Sequence, residues 1–222
     1  MKKILLISLT LFSSHLLAQK HKKIFYDSVG QITTWENYMS TLVSGKYKLV
    51  RSGNIRTLKK MMPEEIEKEI NRTEKRITKT DKIGKGFPEF DITDINGNRL
   101  VKNELKGKVL VINFWFIGCP PCEIERPSLN DLRKLYKDNE DVVFISFARN
   151  NKEELIKNLD EYPILYNVVP TEKDFIKSNF EINAFPINII VGKDGNYFFY
   201  GRASGIGIMT ILQRQIDKAL KG

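Results

Sequence analysis

The stretch VLVINFWFIGCPPCEIERP, residues 109–127, decides how the chain is read. Residues 109–116 are almost wholly apolar and mostly β-branched or aromatic. Such a run predicts a strand buried inside a sheet. Ile117 and Gly118 turn the chain, and a helix is expected from Cys119 to about Lys137. Its buried face is predicted to carry Leu129, Leu132, Leu135 and Tyr136. Cys119 and Cys122 therefore stand where a buried strand hands over to a helix. In open α/β sheets that edge is where reactive groups collect.

Working outward, residues 142–147 predict a second buried strand and residues 152–159 a helix. A short extended piece is expected at 164–166, a helix at 172–178, and a strand at 187–191. The turn Lys193-Asp194-Gly195-Asn196 leads into a strand at 197–200. Residues 206–220 predict a last amphipathic helix, with Ile208, Leu212, Ile216 and Leu220 spaced by fours. Upstream, Phe90, Ile92 and Ile95 lead to Asn96-Gly97, a hairpin-turn signal. The order predicts an α/β fold whose central sheet is mixed: parallel strands first, an antiparallel pair closing it, helices flanking.

The chain has 222 residues, enough for one ordinary domain plus an extension, and 41% hydrophobic residues supply a core. Residues 1–18 read as a signal peptide: Met1-Lys2-Lys3 is basic, 4–17 is mostly apolar, and Ala18 precedes a polar run. The apolar stretch is short for a membrane span, which needs roughly 20 residues. An uncleaved anchor is the other reading. Residues 19–82 form a basic N-terminal extension of unknown fold. Within it, 63–77 predicts a helix with Pro63 in its first turn and a thin stripe of Ile66, Ile70 and Ile77. That helix suits a surface or a partner. The first 82 residues hold 17 Lys+Arg and 8 Asp+Glu, hence +9, whereas residues 83–222 hold 19 of each. A basic segment either contacts an anionic membrane surface or an acidic partner, or is simply solvated. No motif points to nucleic acid.

The only cysteines are Cys119 and Cys122. One pair this close in sequence cannot staple a fold, so it reads as reactive. At a helix N-terminus, unpaired N–H groups and the dipole would favour the Cys119 thiolate. Lowering a thiol from about 8.5 to about 7 takes roughly 2 kcal/mol, much of which a helix end supplies. Cys119 is then the nucleophile. Cys122, on the same helix face and less exposed, is the resolving thiol. Pro120 and Pro121 stiffen the turn. Half of a zinc site is the rival, but it would need more Cys or His, and only His15 and His21 exist. Glu125 lies one turn beyond Cys122, either to move the proton that resolution requires or as an exposed helix residue. Pro127 inside the helix predicts a kink. Pro186 opens a central strand, where proline is unusual; a cis Phe185–Pro186 bond explains it, and a trans proline at a strand start is the alternative. With the cis bond, the Phe185 backbone would pair with a substrate peptide beside Cys119.

The stretch 113–127 resembles the active-site segment of TlpA/ResA-type thioredoxin-like proteins, whose Trp-x-x-x-Cys-x-x-Cys-x-x-Glu-x-Pro pattern is matched by Trp115, Cys119, Cys122, Glu125 and Pro127. FPINIIVGKDGN (185–196) is similar to that family's cis-proline strand, and GFPEFDITDINGN (86–98) to its N-terminal hairpin. The likeness covers about residues 83–222. It implies a thioredoxin-like fold, a periplasmic or membrane-associated thiol–disulfide oxidoreductase, a Glu125 that tunes the thiols, and a cis Pro186. It implies that substrates meet the protein at Trp115, Pro120, Pro121, Phe185 and Pro186. Asn113 stands where thioredoxin has a buried aspartate, which leaves the proton work to Glu125. The expected partners are protein thiols and disulfides of the cell envelope and a membrane electron donor, with no bound cofactor. Two other functions stay open. A thiol peroxidase would want Thr or Ser three residues before the reactive cysteine, where Phe116 stands. A copper-handling or redox-gated binding module would use the two thiolates without turnover.

Overall fold

The computed structural model describes residues 23–78, 80–202 and 205–222. The signal peptide expected at 1–18 lies outside them. The described residues begin with β1 (Ile24–Tyr26), β2 (Ile32–Thr33), α1 (Trp35–Val43), β3 (Tyr47–Ser52), β4 (Ile55–Lys60) and α2 (Pro63–Ile77). The hairpin β5 (Asp91–Thr93) and β6 (Arg99–Val101) follows, turning at Gly97 with φ 90°. Next are β7 (Val109–Trp115), α3 (Pro120–Leu135), β8 (Val142–Ala148), α4 (Lys152–Glu161), β9 (Asn167–Pro170) and α5 (Lys173–Phe180). The chain ends with β10 (Ile187–Val191), β11 (Tyr197–Arg202) and α6 (Ile208–Lys221).

The main sheet runs β11-β10-β7-β8-β9, with β7 central and β8 and β9 parallel to it; β10 is antiparallel to both of its neighbours, β7 and β11. Period-two alternation divides β7 between two cores. Val109 and Val111 pack with Leu129, Leu132 and Tyr136 of α3 and with Ile208, Leu212 and Ile216 of α6. Leu110, Ile112 and Phe114 face the other way, against Phe147, Phe180 and the β5 hairpin residues Phe90 and Ile92. Asn113 shares the odd-numbered face, so the pleat itself aims it at α3.

The helices start where local chemistry places them. Asn151 accepts from the Glu154 N–H at 2.8 Å while Glu154 accepts from the Asn151 N–H at 3.3 Å, a reciprocal cap for α4. In α2, Pro63 opens the helix and Glu65 accepts from the Met62 N–H at 3.0 Å. One expectation needs correction. Leu135 is 55% exposed. Leu132 to Tyr136 already takes the four-residue step on the buried stripe, which leaves Leu135 about 100° around the helix. The extended piece expected at 164–166 leads into β9, which begins at Asn167, and Tyr166 packs in the α3-side core.

The extension carries a four-stranded sheet, β2-β1-β4-β3, and two helices that dock on the main unit. Val43, Ile70 and Ile77 join the core of α3 and α6. Arg214 of α6 bonds Glu67 at 2.5 Å, and the Gly207 N–H donates to the Val43 carbonyl at 2.8 Å. The stripe on α2 thus meets its partner inside the same chain. The docking is close. A Cβ on Gly45 would stand 2.7 Å from the Gly207 Cα, and one on Gly207 2.6 Å from Ile70 Cγ1. Gly207 also sits at φ 77°, where an L side chain costs about 1–2 kcal/mol. Overpacking adds about 1–3 kcal/mol. Gly207→Ala is therefore expected to lower the urea unfolding midpoint by an amount worth at least about 2 kcal/mol; an unchanged midpoint would mean that the extension does not dock there.

Candidate functional site

At the carboxyl end of β7, Phe116-Ile117-Gly118 forms the turn, with Gly118 at φ 80°. The Asn150 side chain holds it by accepting from the Ile117 N–H at 2.9 Å, and Glu123 accepts from the Gly118 N–H at 3.1 Å. Cys119 is the N-cap of α3, in extended backbone, and Pro120 and Pro121 are the first helical residues. Cys119 and Cys122 are joined in a disulfide with Cα atoms 5.3 Å apart.

The local chemistry corrects the account of the nucleophile in two ways. Pro120 and Pro121 have no N–H, and the next two amides, of Cys122 and Glu123, both donate to the Cys119 carbonyl at 3.0 and 3.1 Å. These amides are therefore committed to the backbone, and the contribution left is the helix dipole, worth roughly 0.3–1 kcal/mol at an ordinary helix end. Exposure does not separate the two sulfurs either: Cys119 is 2% exposed and Cys122 4%. They pack among Trp115, Ala148, Leu155 and Val168, with Phe116 and Phe185 against them.

Phe185–Pro186 is cis, the first of the two alternatives. Pro186 is buried and leads directly into β10, where Ile187 pairs with Phe114. The Phe185 ring meets Phe116 edge-on, centroids 5.4 Å apart. Arg149, at the end of β8, lays its guanidinium over both rings, 4.3 Å from Phe116 and 5.2 Å from Phe185. Sequence reasoning passed over Phe116 and Arg149 as site residues. The signal was their position: each immediately follows a parallel central strand at its carboxyl end. Pro120 and Pro121 are exposed, as a substrate-contact role requires. Trp115 is not: at 1% exposure it lies beneath the disulfide and stacks with Arg126 at 5.0 Å, so it supports the site without offering substrate a face. It is the last residue of a central strand, and its side chain falls on the covered α3 side.

Glu125 is fully buried at 0% exposure, which removes the exposed-residue alternative. Its Oε1 accepts from the Asn113 amide at 3.2 Å and from the Asn188 amide at 3.1 Å, while Asn113 also donates to Asn188 Oδ1 at 3.0 Å. The register places these groups, since Asn113 and Asn188 are direct cross-strand partners. Asn188 is a second residue that sequence reasoning missed, and the polar break in INIIV was the available sign. Asn113, Cys122, Arg126 and Tyr166 line a small cavity of about 10 Å³, close to the room one water needs. Burial, with Glu125 adding to it, holds the Tyr166 hydroxyl proton well above its ordinary range. Tyr166 therefore stays neutral on the cavity it shares with Cys122.

Strand order, the disulfide at the carboxyl edge of β7 and the cis proline facing it make this a thioredoxin-like domain. A thioredoxin-like family model (Thioredoxin_8) matches residues 107–197. The thiol-disulfide oxidoreductase ResA of Bacillus cereus is 32% identical over 114 residues, which is 51% of this chain and 65% of that protein. The thioredoxin-like protein YneN of Bacillus subtilis is 26% identical over 114 residues, 50% of this chain and 66% of that one. The match therefore spans just under two thirds of these curated relatives' length. Among solved structures, the thioredoxin domain of a Bacteroides vulgatus thiol-disulfide oxidoreductase superposes with a TM-score of 0.52 at 24% identity, covering 62% of this chain and 99% of that one. That likeness carries the fold. Residues 107–197 are thus similar to thioredoxin-like proteins, and the relatives matched include ResA and YneN.

Proposed function

We propose that the protein is a thiol–disulfide oxidoreductase that exchanges its Cys119–Cys122 couple with protein substrates of the cell envelope, working as a reductase. The observation that carries the reading is the disulfide itself, closed at the head of α3 beside Phe185–Pro186. In the reduced protein, the Cys119 thiolate attacks one sulfur of a substrate disulfide and expels the other as a thiolate. The Cys122 thiolate then attacks Cys119 Sγ in the mixed disulfide. This closes the pair again and releases the substrate's second sulfur. Two electrons pass from protein to substrate, and each sulfur released takes up a proton. Glu125, one helical turn from Cys122, moves the proton that Cys122 must shed before the second attack. Pro120, Pro121 and the Phe185 backbone receive the substrate chain.

No bound cofactor is required, because the dithiol holds both electrons; a membrane donor restores them. The apolar run behind Met1-Lys2-Lys3 supports export. Among the described residues no helix is long and apolar enough to cross a membrane. The basic surplus of residues 1–82 supports contact with an anionic membrane surface. The direction of electron flow has a direct test. The Cys119–Cys122 couple, equilibrated against glutathione buffers, is expected near the reducing value of about −270 mV, and a result near about −120 mV would make the protein an oxidant of its partners.

A further inference from the structure

A groove of about 970 Å³ begins at Pro120, next to Cys119, and runs along α3 as far as Lys134. The docked extension supplies one wall through Trp35 of α1, and the turn after α4 supplies the other through Tyr162 and Pro163. Trp35 is 39% exposed and Tyr162 51%. The two rings leave part-exposed aromatic surface on either side of a helix that carries a reactive pair, with Arg126 over the Tyr162 ring at 5.8 Å.

The floor is Arg126, only 8% exposed. Its Nη1 donates to the Tyr162 carbonyl at 2.9 Å, whereas its Nη2 is buried with no acceptor among the described residues. The rim is acidic. Glu36, Glu123, Asp131 and Glu161 line it, against Lys134, which Asp131 already pairs at 2.9 Å. This holds on a chain of net charge +9. Although α1 lies in the basic part of the chain, its sequence WENYMSTLV contains no Lys or Arg.

We propose that this groove seats the substrate polypeptide beside its reacting cysteine, and that it selects a segment with an aromatic or aliphatic side chain next to Lys or Arg. The occupant rests on the oxidoreductase reading above. The apolar side chain packs between Trp35 and Tyr162, and the basic residue meets the carboxylates of the rim. Charge complementarity of this kind sets selectivity and encounter rate. It also gives the extension a task, because removal of α1 removes a wall.

The test compares peptide disulfides flanked by Phe-Lys with the same peptides flanked by Phe-Glu, alongside the small disulfide of 2-mercaptoethanol. Wild type is expected to favour the Lys peptide. Trp35→Ala should lower kcat/KM for it by about tenfold. The pair Glu36→Lys with Asp131→Lys, both at exposed positions, should remove or invert the Lys-over-Glu preference. All three proteins should reduce the small disulfide equally. Unchanged peptide kinetics in both variants would overturn the groove. A serine analogue of the Lys peptide, which cannot exchange, isolates binding: saturable binding to wild type and its loss in Trp35→Ala supports the groove, even in a protein that fails on the small disulfide and so fails the redox reading. Absence of that binding overturns the groove.

Discussion

Replacing Cys119 with serine is expected to remove at least about a thousandfold of the rate at which the reduced protein cleaves insulin disulfides. Replacing Cys122 should leave the first attack in place and stop the reaction there, with a stable mixed disulfide visible by mass spectrometry under non-reducing conditions. The asymmetry is worth testing because exposure does not decide it: both sulfurs are almost fully covered in the disulfide form. Position decides it. Cys119 is the cap residue, followed by two exposed prolines, and Phe116 and Phe185 are the partly covered rings beside the pair. Cys122 lies one turn deeper, on a cavity walled by Asn113, Trp115 and Tyr166. A substrate sulfur can approach from the proline side; the cavity has room for about one water. Should the Cys119→Ser protein be the one that accumulates a mixed disulfide, the roles are reversed.

The same residues show how far a sequence alone reaches. The run 109–115 was legible as a buried central strand because no polar face interrupts it, and the turn to α3 followed from Gly118 and the prolines. The helix 63–77 was legible from its proline, its acidic first turn and its isoleucine spacing. The sheet of the extension was not. β3 and β4 carry Lys48, Arg51, Arg56, Lys59 and Lys60, and Leu58 is the buried residue between them, so no alternation stands out. Yet Gly53-Asn54 joins two runs of equal length, which is a two-residue hairpin signal. The N–H argument at Cys119 failed for a reason also present in the sequence, because two prolines delete the donors it needed. The clasp of Glu125 by Asn113 and Asn188 could not be read, since it depends on the cross-strand register of residues 75 positions apart.

Glu125→Gln is expected to slow the second step, release of substrate by Cys122, by about 10²-fold while leaving the fold intact. The substitution is nearly isosteric and keeps an oxygen where Asn113 and Asn188 donate, so neither amide loses its acceptor. Glu125→Leu is the contrasting variant. It leaves both buried amides without that oxygen, at about 1–3 kcal/mol each, and should show up as lost stability. The readout that separates proton transfer from mere support is the pH profile of the resolution step, measured by stopped flow on a preformed mixed disulfide. On the proposed role of Glu125, the wild-type profile is expected to carry one inflection more than that of Glu125→Gln, in which only a thiol can titrate. Loss of the nearby negative charge also makes the Cys122 thiolate easier to form, which moves the remaining inflection toward lower pH. Those two changes together cannot come from a packing defect, which would scale the rate at every pH alike. A Glu125→Gln profile that keeps the wild-type shape would leave the carboxyl as a structural anchor for the two asparagines and place the proton acceptor elsewhere.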